Sequence, residues 1–125
     1  MAKIEMYEIS VREHFDAAHA LKGYRGKCER LHGHRYEVVV TLCADKLDDI
    51  GLAYDFSIIK KHLRDVLSRF DHNTLNDVEP FDKINPSAEN IAAKIYEELH
   101  RMELPIVSVQ VYESPDTWVT YRPGK

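Results

Sequence analysis

Cys28-Glu29-Arg30-Leu31-His32-Gly33-His34 runs directly into Arg35-Tyr36-Glu37-Val38-Val39-Val40-Thr41-Leu42-Cys43-Ala44. The second part reads as a strand. Tyr36, Val38, Val40 and Leu42 share one face, and Arg35, Glu37, Val39, Thr41 and Cys43 share the other. In extended backbone, residues i and i+2 point the same way. His32 and His34 therefore aim at one point if the chain is strand-like there, and Gly33 leaves that approach unobstructed. Two converging imidazoles suit a zinc ion, which in a catalytic site takes a third protein ligand and keeps one position open. A polar turn leading into a strand fits the same spacing, so these residues alone leave both readings open. Cys28, if it is not a ligand, is a candidate base or nucleophile.

Outward from this stretch, Ile9 and Val11 alternate with Glu8, Ser10 and Arg12, giving a strand over residues 3–14. Phe15-Asp16-Ala17-Ala18-His19-Ala20 follows, its small alanines compatible with close packing around a site. A loop marked by Gly23 and Gly26 covers residues 21–31. Residues 45–51 are turn-like, and residues 52–56 form a short extended piece. Asp55 or Ser57 caps a helix with Ile59, Leu63, Val66, Leu67 and Phe70 on one face, ended by Asp71-His72-Asn73. Pro80 and Pro86 bracket a loop. Ser87 caps a second helix with Glu89 in its first turn and Ile91, Ile95, Leu99 and Met102 as its stripe. Pro105 stops it. Val107, Val109 and Val111 make a third strand, Ser114-Pro115-Asp116 a turn, and Trp118 to Tyr121 a fourth strand. The order β-β-α-α-β-β predicts an α+β fold, an antiparallel four-stranded sheet with two helices on one face. Its open edges need cover, which favours a homo-oligomer.

The 125 residues suit one domain spanning the whole chain. A net charge of -4 argues against nonspecific nucleic-acid binding. No apolar run reaches the length of a membrane span. No signal peptide is visible at the N-terminus, so the expected compartment is the cytoplasm. There, two cysteines are expected as free thiols, with Cys43 a small buried hydrophobe. Lys22, Arg25, Lys27, Arg30 and Arg35 surround the central stretch against Glu29 alone. This basic loop either meets an anionic substrate or is simply solvated.

Of the seven histidines, His62 and His100 fall on helices beside charged neighbours and read as surface residues. His14 and His19 are both candidates for the third metal ligand. His19 has the better setting, between alanines at the end of a strand. Asp71-His72 pairs a carboxylate with an imidazole it can orient, or is a polar helix end. Glu113 closes the third strand, where a carboxylate can accept two hydrogen bonds from an amidine-like edge or simply face solvent.

Taken together and in order, these stretches resemble the 6-pyruvoyl-tetrahydropterin synthase superfamily. The closest branch is the bacterial 6-carboxytetrahydropterin synthases of queuosine (7-deazaguanine) biosynthesis. The matching residues are Phe15 to His19, Cys28-x-x-x-His32-Gly33-His34, Asp55-Phe56, Leu67 through Asp71-His72 to Leu75-Asn76, Pro86 to Asn90, and Glu113. The resemblance implies the tunnelling fold and subunits assembled around barrels, commonly as hexamers, with sites at subunit interfaces. It implies His19, His32 and His34 as zinc ligands and Cys28 as catalytic thiolate. Asp71 and His72 would be its acid/base partners, serving a thiolate on the same or another chain. It implies Glu113 as the pterin anchor and Ser87 as part of the pterin pocket. The implied substrate is 7,8-dihydroneopterin triphosphate, a reduced pterin triphosphate. Three residues between the cysteine and His-Gly-His match the queuosine branch. Glu29 also resembles a third branch, in which a glutamate replaces the cysteine and the product is 6-hydroxymethyl-dihydropterin for folate synthesis. A chain with both Cys28 and Glu29 resembles a combined type, unless Glu29 is only a solvent-facing loop residue.

Overall fold

The computed structural model describes residues 5–23, 26 and 29–124. Cys28 lies outside the described residues, as do Arg25 and Lys27 of the basic loop. The elements are β1 (Tyr7–His19), β2 (His32–Ala44), α1 (Phe56–Leu67), β3 (Asn73–Thr74), α2 (Ala88–Arg101), β4 (Ile106–Ser114) and β5 (Thr117–Tyr121). A 3₁₀ turn, Leu75–Asp77, follows β3.

The fold is α+β as expected, but the sheet is not a four-stranded antiparallel one. It has five strands in the order β3-β1-β2-β4-β5, and β3 runs parallel to β1, pairing Ala17 with Asn73 and Ala18 with Thr74. Two residues carry no alternating pattern, so β3 exists only because the turn after α1 lands on the free edge of β1. The first strand is also displaced from the expected residues 3–14: among the described residues it begins at Tyr7 and continues past His14 to His19. Phe15 to His19 contains alanines of low strand propensity, and pairing with residues 32–36 of β2 holds it extended. Residues 52–56 form no strand: bends at Ala53 and Tyr54 lead to the Asp55 cap, and Phe56 opens α1.

The alternating pattern of β2 survives intact: Tyr36, Val38, Val40 and Leu42 are fully buried. On β1, Val11, Phe15 and Ala17 join them, and Val109 and Val111 add the β4 contribution. Ile59, Leu63, Val66 and Leu67 of α1 and Ile91, Ile95 and Leu99 of α2 close the core from the same side. Phe70 is buried although α1 ends at Leu67, packing its ring 5.7 Å from that of Phe15. Met102 is not part of the α2 stripe. It forms the C-cap and is 38% exposed, because the helix ends at Arg101, one residue before it. Cys43 is half-buried, not buried, since it alternates to the outward face of β2. Among the described residues no helix is long and apolar enough to cross a membrane.

Candidate metal centre and the adjoining cleft

The β1–β2 ladder runs without a slip, placing Ala17 opposite His34 and His19 opposite His32. Period-two alternation then puts His19, His32 and His34 on the same side as Phe15, Tyr36 and Val38. The core stripe of the two strands ends in three imidazoles. Of the two candidates for the third position, His19 is in place, 1% exposed, whereas His14 is exposed on the outward face. One ring nitrogen from each of His19, His32 and His34 lies within 4.8 Å of the others.

The tautomers favour a cation. His19 Nδ1 donates to the Pro86 carbonyl at 2.7 Å, and His32 Nδ1 donates to the Arg30 carbonyl at 2.6 Å. With both Nδ1 protons committed, the two Nε2 atoms present lone pairs to each other at 3.1 Å. A neutral pair in this state has no proton to share between them. His34 Nε2 is buried with no hydrogen-bond partner among the described residues. Imidazole nitrogens held about 2.0–2.1 Å from a tetrahedral metal stand roughly 3.3 Å apart, close to the spacing seen. Burial pushes the His19 and His34 pKa values below the ordinary histidine value, with Glu113 pulling the other way, which favours the neutral, metal-binding form. The donor set fits a metal of imidazole preference, and carbonyl partners of this kind fix ligand orientation.

Gly33 has a smaller part than its position suggested. A Cβ there would meet the Ala17 carbonyl at 3.8 Å, an ordinary contact. The approach is clear because residue 33 alternates away from the triad.

Glu113 lies on the same side of the sheet as the triad, beyond Val109 and Val111 on β4. It sits where the β4–β5 pairing shifts register between Tyr112 and Ser114, so the carboxylate stands at the sheet's end. It borders a cleft of about 240 Å³ with Leu21, Ser87, Glu89 and Trp118. Ser87 has a structural task as well: its Oγ accepts from the Asn90 amide at 3.2 Å and caps α2. Glu29 is exposed and borders, with Arg30, Leu31 and His32, a surface depression of about 780 Å³.

Asp71 and His72 form a separate group, with Asp16, along the free edge of β1. Asp71 Oδ1 accepts from the Asp16 amide at 2.9 Å, and the His72 amide donates to the Asp16 carbonyl at 2.6 Å. Asp71 Oδ2 stands 3.0 Å from His72 Nδ1. The pair is therefore not at the end of α1 but beyond it, with His72 in the left-handed region at φ 61. The Asp16 amide holds the Asp71 carboxyl below the usual carboxylate range, and His72 adds to this. Asp16 is held low chiefly by Arg35, its cross-strand neighbour, at 3.0 Å.

Residues 8–124 match the family described as 6-pyruvoyl tetrahydropterin synthase. The chain belongs to that family. Among curated relatives, the 6-carboxy-5,6,7,8-tetrahydropterin synthase of Bacillus subtilis is 35% identical, covering 95% of this chain and 87% of its own. Among solved structures, 6-pyruvoyl tetrahydropterin synthase of Caenorhabditis elegans superposes with a TM-score of 0.86 at 28% identity, covering 99% of this chain and 100% of that one. A Plasmodium vivax 6-pyruvoyltetrahydropterin synthase, in a form with a catalytic residue changed from glutamate to alanine, gives 0.72 at 25% identity, covering 97% and 99%. The tunnelling fold of the family is thus the fold of this chain.

Within this member of the 6-pyruvoyl tetrahydropterin synthase family, two features beside the triad are not among the residues the sequence pattern singles out. Tyr36 carries only a core signal in the alternation of β2. Its ring packs 5.4 Å from His34 and 5.7 Å from His19, and its hydroxyl is buried without a partner among the described residues. The signal lies in the pattern itself, since a tyrosine two residues after a histidine in a strand shares its face and stands next to it. The second feature is the hydrogen bonding of Asn76 and Asn85 to the chain just beyond His19.

A depressed carboxyl adds stability above its unfolded pKa and loses that contribution as pH falls through its folded one. Asp71→Asn keeps an acceptor but no charge. The urea midpoint of the parent should exceed that of Asp71→Asn at pH 7, and the gap should close as pH drops below about 4. A gap unchanged at pH 3 would show that the charge of Asp71 contributes nothing to the fold.

Proposed function

We propose that this protein is a zinc-dependent lyase converting 7,8-dihydroneopterin triphosphate and water to 6-carboxy-5,6,7,8-tetrahydropterin, acetaldehyde and triphosphate, a step toward queuosine. The observation that carries this reading is the imidazole triad, with two tautomers fixed by carbonyls, beside a cleft that ends in Glu113. The family membership and the name of the Bacillus subtilis relative support the reaction. His19, His32 and His34 hold the zinc. Bound there, zinc would supply Lewis acidity toward the side-chain hydroxyls and would acidify the C–H bonds of the carbons that bear them.

The chain's own residues do the rest. Glu113 accepts from the amidine edge of the pterin ring. Ser87 lines that end of the pocket while capping α2. Cys28 and His72 move protons on opposite faces of the substrate, with Asp71 holding the imidazole in orientation. Within one subunit the Asp71–His72 pair lies along an edge of β1 and forms a group apart from the triad. This supports a site shared between copies of the chain, in a homo-oligomer that we take to be the hexamer. The chain acts in the cytoplasm as a single domain.

A product analysis tests this directly. Zinc-loaded protein incubated with 7,8-dihydroneopterin triphosphate should yield 6-carboxytetrahydropterin by mass, and a chelator should stop it. Cys28→Ala should lower the rate by about 10²–10⁴-fold, the range for losing a proton-transfer group. Zinc-loaded protein that leaves this substrate untouched would sink the proposal. Sharing between copies has its own test. Cys28→Ala and His72→Ala, each inactive alone, should recover part of the activity when unfolded together and reassembled. No recovery would place the whole site in one chain.

A second reading has an observation in its favour. Glu29 borders the same depression as His32, and the Plasmodium vivax neighbour is described as having a catalytic glutamate. In that reading the protein also forms 6-hydroxymethyl-7,8-dihydropterin. Glu29→Ala should then abolish that product and leave 6-carboxytetrahydropterin in place. Its persistence in the variant would show Glu29 to be a loop residue only.

A further inference from the structure

β2 stops pairing with β1 at His19, where β1 itself ends, and the chain runs through Ala20 and Leu21 into a turn at Lys22 and Gly23. Its next polar groups need partners or water. Two asparagine side chains supply them. Asn76 Oδ1 accepts from the Ala20 amide at 2.9 Å, and its Nδ2 donates to the Ala20 carbonyl at 2.9 Å. Asn85 Oδ1 accepts from the Lys22 amide at 2.9 Å, and its Nδ2 donates to the Lys22 carbonyl at 2.8 Å. Each side-chain amide mimics one residue of a neighbouring strand. Asn90 Nδ2 in turn donates to the Asn85 carbonyl at 2.8 Å, fixing the second clamp to α2. Next to these attachments in sequence, His19, the residue before Ala20, donates to the carbonyl of Pro86, the residue after Asn85.

We infer that Asn76, assisted by Asn85, is a positioning residue for the metal centre. It holds the exit of β1 against residues 76–90, so that His19 meets the Pro86 carbonyl and presents Nε2 to the site. Without the clamp, the backbone at Ala20 exchanges its partners for water. His19 then loses the fixed distance to Pro86 that sets its tautomer. The same clamp sets where the loop after Lys22 departs. The inference rests on the triad being a metal site.

The test is zinc affinity, read by competition with a chromophoric chelator and needing no substrate. The parent should bind one zinc per chain and His34→Ala should not. Failure of that control would overturn the metal reading itself, and with it this inference. Asn76→Ala should weaken zinc binding by about 10–100-fold, the usual cost of losing an outer-shell support. Asn85→Ala should weaken it less. Val66→Ala, a core change in α1 remote from the site, is the stability control. It should lower the melting temperature but leave zinc affinity within about two-fold of the parent, because a packing loss elsewhere does not move His19. Where Asn76→Ala does not fold, Asn76→Asp serves. It keeps the acceptor for the Ala20 amide, sets a carboxylate against the Ala20 carbonyl, and should weaken zinc binding in the same direction. Parent-like affinity in the folded Asn76 variant, or an equal loss in Val66→Ala, would overturn the inference.

Discussion

The antiparallel register of β1 on β2 is the constraint on which the rest depends. It sets Phe15 beside Tyr36, Ala17 beside His34 and His19 beside His32 in one unbroken ladder. A slip of one residue would turn every one of these side chains to the other face. Core and site are therefore specified by the same ladder: the face that buries Val38, Val40 and Leu42 is the face that converges the imidazoles. Burying Phe15 and Tyr36, whose rings stack at 4.8 Å, opposes such a slip. Each large apolar side chain contributes about 1.5–3 kcal/mol when removed from water.

Polar groups around the triad are satisfied in a selective way. The carbonyls of Pro86 and Arg30 take the Nδ1 protons of His19 and His32. Asn76 and Asn85 take the backbone groups that the sheet leaves behind. What remains without a partner among the described residues includes His34 Nε2 and the Tyr36 hydroxyl, both at the centre. Buried polar atoms are normally paired, so an orphaned imidazole nitrogen beside two facing lone pairs marks the place where the fold alone does not complete the interactions.

The outer face has different physics. Asp16, Arg35, Asp71 and His72 are mutually paired and partly exposed, and they line the edge of β1 away from the core. Charges here are screened by water, so their direct contribution to stability is small. Asp71 is tied to backbone amide and imidazole at once, an arrangement that orients the His72 ring more than it stabilises a fold. That the apolar face ends in the triad and the edge carries the acid pair is a division of labour between core and boundary.

The sequence by itself determined the local patterns. Period-two burial in β2, the helical stripes of α1 and α2, a cap at Asp55 or Ser57, the Ser87 cap and the shared face of His32 and His34 in an extended chain all follow from spacing, because they depend on side-chain direction within one element. Tertiary structure decided what spacing cannot reach. His19 was preferred over His14 by its setting, but only pairing with His32 across the ladder places it. β3 arises from a turn landing on an open edge, and Met102 leaves the α2 stripe because the helix ends one residue before it. Asn76 and Asn85 carry no periodic signal at all. Their role exists only where residues more than fifty apart in sequence meet, and such contacts are set by how the whole chain closes on itself.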